Sequence, residues 1–135
     1  MEGLSVPTVL LYSVPADMHR AIAAIALELG ADCKKIARWR FTQCIGCHAG
    51  IPGCEGTAAR YEGQDLPSPM LIFAGFSDRM LDRFLAAYKR AAIPEIDYRA
   101  VVTKYNIGWN VLDLYQELVQ EHESIRLRSQ QPDEM

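Results

Sequence analysis

The sequence predicts an α+β domain, and three observations predict it. Two continuous apolar runs, Val9–Leu11 and Met70–Phe73, suit central strands or strands buried on both faces. Each run is followed by apolar residues at helical spacing: Met18, Ile22, Ile25 and Leu29 after the first, Met80, Leu81, Phe84, Leu85 and Tyr88 after the second. The two halves also overlay at an offset of 62 residues, Val9-Leu10-Leu11 on Leu71-Ile72-Phe73, Met18 on Met80 and Ile22 on Phe84. Two strand–helix–strand units with right-handed crossovers predict a four-stranded antiparallel sheet backed by helices on one face. This is the ferredoxin-like two-layer sandwich, with an extra C-terminal helix.

The first helix opens at Pro15-Ala16-Asp17 and gains propensity from Ala21, Ala23, Ala24 and Ala26. Gly30 is placed to end it, because a left-handed residue costs glycine little. Asp32–Phe41 alternates in parity and predicts a strand with one basic face, Lys34, Arg38 and Arg40 among it. Within an acidic chain that face suits a charged edge strand that resists edge-to-edge pairing, rather than a patch for an anionic partner. The segment 42–69 is rich in Gly and Pro and long for a connection, a feature of functional or mobile loops. A short helical turn can form near Ile45–Ala49.

In the second half, Gly75 ends a strand and Ser77 caps a helix that Pro94 stops. Phe76 and Leu81 stand in hydrophobic-staple positions. Tyr98–Thr103 predicts the fourth strand and Lys104–Gly108 a turn. Asn110 caps the last helix, with Trp109 and Leu114 again placed as a staple. The domain is therefore expected to span 1–123, as repeat 6–41, inserted loop 42–69 and repeat 70–123, followed by a polar flexible tail, 124–135.

At 135 residues the chain suits a single domain that folds without metal or disulfides. A net charge of −3 gives no reason to expect nucleic acid or an anionic membrane. The start lacks a basic n-region, and its apolar run is too short for a signal sequence or a membrane span. A cytoplasmic location is expected, so the four cysteines read as thiols or metal ligands before disulfides.

The pieces Ala74–Ile93, AGFSDRMLDRFLAAYKRAAI, and Ile96–Leu118, IDYRAVVTKYNIGWNVLDLYQEL, followed by EHE at 121–123, resemble the bacterial family DUF3783. VLLYSVP at 9–15 and QCIGCHAG at 43–50 resemble that family's first strand and its Gln-containing, Gly-rich segment. The family's segment reads Gln, Pro, aliphatic, Gly, any residue, aliphatic, Ala, Gly. Here Cys44 replaces the Pro and His48 the second aliphatic residue. The resemblance implies a small intracellular domain with no established activity, and that Cys44, Cys47 and His48 are not family hallmarks.

Cys44, Cys47, His48 and Cys54 nonetheless carry the sharpest chemical signal. Three thiolates and an imidazole are the ligand set of a Cys₃His zinc site, although a second CxxC is missing. The same residues fit the C-x-x-C-H haem attachment pattern, which normally needs export, and a redox dithiol at a helix start. Cys33 shares the apolar parity of its strand and reads as core. No P-loop, GxGxxG or HExxH is present, neighbouring Cys47 and His48 make a poor nucleophile–base pair, and no carboxylates pair convincingly. The chain is thus read as a binding or regulatory domain, not an enzyme, with no cofactor. Its expected contact surface is the loop 43–56, through Gln43, Gly46 and Gly50, with Asn106 and Trp109. The partner is a protein or small molecule, and a solvated sheet face offers a route to a homodimer. The loops after Arg40 and Thr103 are expected to converge if the repeat is real.

Overall fold

In the computed structural model, residues 6–51, 53 and 60–130 are described. Their elements run β1 (Thr8–Tyr12), α1 (Ala16–Leu29), β2 (Asp32–Lys35), a 3-10 turn (Arg38–Arg40), α2 (Ile45–Ala49), β3 (Met70–Ala74), α3 (Asp78–Arg90), β4 (Tyr98–Val101) and α4 (Val111–Gln130). The sheet order is β2-β1-β3-β4.

The fold is α+β, but the sheet is mixed. β1 pairs with β2 in parallel, β3 with β4 in parallel, and β1 with β3 antiparallel. Each strand–helix–strand unit therefore keeps its two strands side by side. In the expected ferredoxin-like plan, each unit's second strand would pair antiparallel with the other unit. The apolar pattern places β1 and β3 at the centre, and it is silent on which edge receives β2. The link Gly30-Ala31 decides this by returning the chain beside its own β1, where the Asp32 N–H donates to Pro7 O at 2.8 Å.

The expected two layers are also corrected, to three. Successive side chains of a strand point to opposite faces. Val9, Leu11, Leu71 and Phe73 pack with Ile22, Ile25 and Phe84 of α1 and α3. Leu10, Tyr12, Met70 and Ile72 pack with Ile45, Ala49, Val111 and Leu114 of α2 and α4. Every residue of β1 and β3 is buried, as central strands covered on both faces require.

The 62-residue repeat is a structural two-fold. Leu10 faces Ile72 at its centre, with Thr8 opposite Ala74 and Tyr12 opposite Met70. Even the unusual backbone repeats. Ser13 and Gly75 follow the two central strands with φ of 60° and 78°. Gly30 and Ala92 follow the two helices with φ of 78° and 57°. Each unit thus holds one glycine and one side-chain-bearing residue in the left-handed region. Ala92 is exposed, so its Cβ contributes strain and little packing. Replacing Ala92 by glycine is expected to stabilise the protein by about 0.5–1 kcal/mol, read as a higher urea midpoint, because the relief of strain exceeds the added chain entropy.

The helix ends follow their sequence signals. Ser77 Oγ accepts from Met80 N at 3.1 Å, and Asn110 Oδ1 from Asp113 N at 2.8 Å. Two boundaries differ. β2 ends at Lys35, and the expected strand to Phe41 gives way to the 3-10 turn, which lets Ile36 and Phe41 both be buried. α4 continues through 124–130, where a flexible tail was expected, and Arg126 pairs with Glu123 at 2.7 Å one turn earlier. No helix among the described residues is long and apolar enough to cross a membrane.

Candidate functional site

The two loops expected to converge do so. α2 lies against the segment 103–110: Ile45 N donates to Trp109 O at 2.9 Å and Gly46 N to Ile107 O at 3.0 Å. Cys44 bridges Asn110 in antiparallel fashion, and Val111 N donates to Phe41 O at 3.2 Å. The first N–H groups of α2 are thereby used inside the fold.

The Gly-rich segment itself is packed rather than open. Gln43, Ile45, Gly46, His48, Ala49 and Ile51 are buried. Gln43 Oε1 accepts from Arg40 Nε at 3.0 Å and lies 4.0 Å from Cys47 Sγ. Gly46 N donates to the Ile107 carbonyl, and Gly50 ends α2 at φ 81°. These three residues build the loop.

His48 is a core residue. Its imidazole is 2% exposed. Nε2 lies 2.9 Å from Arg40 O, and Nδ1 lies 2.9 Å from Tyr12 Oη. A carbonyl only accepts, so Nε2 carries the proton and Nδ1 accepts from the Tyr12 hydroxyl. Burial lowers the His48 pKa to about 4, with the Arg40 guanidinium adding to the effect and the Arg40 carbonyl opposing it. Burial likewise raises the Tyr12 pKa, against the Arg40 charge and together with Cys44. Both imidazole nitrogens are engaged, so neither offers a free lone pair to a metal. Among the described residues no group of three or more His, Cys, Asp or Glu could hold a metal ion. Cys44 and Cys47 are partly exposed, and Cys54 lies outside the described residues. The core tolerates His at position 48 because two polar partners reach it.

Asn106 braces its own loop. Its Oδ1 accepts from Thr103 N at 2.8 Å, and its Nδ2 donates to Val101 O at 3.0 Å. Trp109 is 38% exposed and Tyr105 77%. Both border a pocket of about 360 Å³ shared by β4, the segment 103–109 and Leu114, Glu117, Leu118 and Glu121 of α4.

A second pocket lies on the other side of β4. It measures about 160 Å³ and is lined by Phe73, Leu81, Leu85, Arg99, Ala100 and Val101. The register explains the two sides. Arg99 and Val101 stand beside Leu71 and Phe73 on the α3 face, whereas Tyr98 and Ala100 stand beside Met70 and Ile72 on the α4 face. β4 is an outer strand of the sheet. Val102 N donates inward to Phe73 O at 2.8 Å, so by alternation the peptide groups of Arg99 and Val101 point outward. The Asn106 amide on Val101 O agrees with that direction. Sequence reading found Trp109 and missed Arg99, Val101, Leu81 and Leu85. Their signal was an apolar Val101 on a strand that the two central apolar runs leave at an edge.

No curated protein and no solved structure matches the chain. Residues 69–125, which hold β3, α3, β4 and most of α4, match the family model described as a domain of unknown function, DUF3783. The second strand–helix–strand unit, with the pocketed edge strand, is thus the part of the chain that is similar to that family.

Proposed function

We propose that the protein is a binding domain, not an enzyme, and that it takes up an extended segment of a partner protein along β4. The single observation behind this reading is the pocket on each side of an outer strand. An added strand sends alternate side chains to opposite faces, and those pockets would receive them while main-chain hydrogen bonds supply affinity. Tyr105 and Trp109 give rigid apolar surface beside one pocket, and Phe73, Leu81 and Leu85 line the other. Such a role uses no cofactor. The segment 43–50, expected from sequence to make the contact, acts in this reading as the support that fixes the Trp109 loop through the Ile45 and Gly46 hydrogen bonds.

Val101→Pro tests the reading cleanly. The Val101 N–H points away from β3, so proline removes an outward donor without breaking the β3–β4 ladder. Panning a displayed random-peptide library on the full chain should enrich sequences with alternating apolar residues. Their affinity should fall at least about tenfold in Val101→Pro and in Trp109→Ala, as loss of a central contact or anchor entails. Enrichment that ignores both substitutions would remove the proposal. A dimer in sedimentation that Val101→Pro dissociates would identify a second copy as the occupant instead.

A further inference from the structure

We propose that Cys44 and Cys47 form a reversible dithiol–disulfide pair that exchanges with a small-molecule thiol–disulfide couple such as glutathione. The inference does not depend on the binding reading. Cys44 is the residue preceding α2, and Cys47 lies within its first turn. Cys47 N donates to Cys44 O at 3.1 Å, and His48 N to the same carbonyl at 3.2 Å. That closed turn holds two Cα atoms three residues apart at roughly 5–6 Å, within the range a disulfide spans. Both residues are partly exposed, so a tripeptide thiol can reach them. Neither shares a metal with His48, whose two nitrogens serve Tyr12 and the Arg40 carbonyl. The pairing rests on proximity within the turn, since the first N–H groups of α2 are used by Ile107 and Trp109.

The exchange balances without another reactant. One protein thiolate attacks glutathione disulfide, forming a mixed disulfide and releasing one glutathione. The second protein thiolate attacks the protein sulfur of that mixed disulfide and releases the other glutathione. The protein dithiol loses two electrons and two protons, and glutathione disulfide becomes two glutathione thiols. Oxidation would lock the start of α2, whose Cys44 backbone is bridged to Asn110, the cap of α4. Cys33 serves as an internal control. Burial, with the Asp32 charge, pushes its thiol up to about 11, which keeps it protonated and slow to exchange.

The test uses the full-length protein, purified without added metal and equilibrated over a series of reduced-to-oxidised glutathione ratios. Acid quenching, thiol alkylation and peptide mass mapping then read each cysteine. The expected result is joint protection of Cys44 and Cys47 with loss of two hydrogens, at a ratio that leaves Cys33 alkylatable, and full recovery of both thiols on reduction. Cys54→Ser should leave that behaviour intact, while Cys47→Ser should convert Cys44 to a glutathione adduct. Thiols that stay reduced at every ratio, adducts without an internal bridge, or a bridge through Cys54 or Cys33 would each overturn the proposal. So would near-stoichiometric zinc in the purified protein that blocks alkylation of Cys44 and Cys47.

Discussion

Acidification from pH 7 to pH 4 is expected to cost the fold about 3 kcal/mol through His48 alone. The folded pKa is depressed to about 4 by burial, against an ordinary value of 6.5. Between those two values the unfolded chain binds the proton and the folded chain does not. The contribution is therefore complete above about pH 6.5 and is lost as the pH falls through the folded value. The physical content is local. A second proton on the ring would sit on Nδ1, so the Tyr12 hydroxyl would have to turn from donor to acceptor while a charge is held inside the buried core. Urea unfolding followed across this range measures the slope.

His48→Leu should remove that slope and lower stability at pH 7 by about 1–3 kcal/mol, because it leaves the Tyr12 hydroxyl buried without its partner and takes one donor from the Arg40 carbonyl, which keeps its bond from the Gln43 N–H. Adding Tyr12→Phe should then cost less than it does in the wild type, since the hydroxyl it removes has already lost its bond. A His48→Leu protein with an unchanged pH slope would show that the depressed group lies elsewhere.

Phe84→Ala is expected to destabilise the protein by about 4 kcal/mol. Phe84 is fully buried and fastens α3 to the sheet. Its ring lies 5.2 Å from Phe73 and 5.9 Å from Phe76, both near-perpendicular, and 6.5 Å from Tyr88. Truncation would lose the transfer energy of the ring, these edge-to-face contacts, and the packing around the hole left behind. Phe84→Leu should recover more than half of the loss by filling most of the volume. The matching residue of the first unit is Ile22, also fully buried. Ile22→Ala should cost less, about 3 kcal/mol, because no cluster of rings is dismantled with it. The urea midpoint should move in both cases while the denaturant slope stays constant.

Local chemistry made much of the scaffold legible. Ser77 and Asn110 could be recognised as caps because their function needs only the three residues that follow. Gly30 could be recognised as a helix stop for a similar reason. The repeat was legible because buried β1 and β3 and the stripes of α1 and α3 all carry it. The continuous apolar runs also held a signal for two covered faces, which the two-layer expectation overlooked.

The candidate sites were less legible. Cys47 and His48 look like equivalent ligands in one dimension, yet the turn of α2 leaves one partly exposed and buries the other. The partners that settle the role of His48, Tyr12 and the Arg40 carbonyl, lie 36 and 8 residues away. Asn106, expected from sequence to meet a ligand, hydrogen-bonds Thr103 and Val101 within its own loop, partners that local pattern did not name.

By itself the sequence determined the elements, their caps, the two-unit repeat and which strands lie at the centre. These follow from side-chain periodicity and from hydrogen bonds made within a few residues. Only the tertiary structure decided the parallel landing of β2 and β4, the burial of His48 and the pocketed outer edge of β4. Each of these depends on which surfaces meet across long chain separations. A pattern of apolar and polar residues states that a face must be covered, and it does not name the element that covers it.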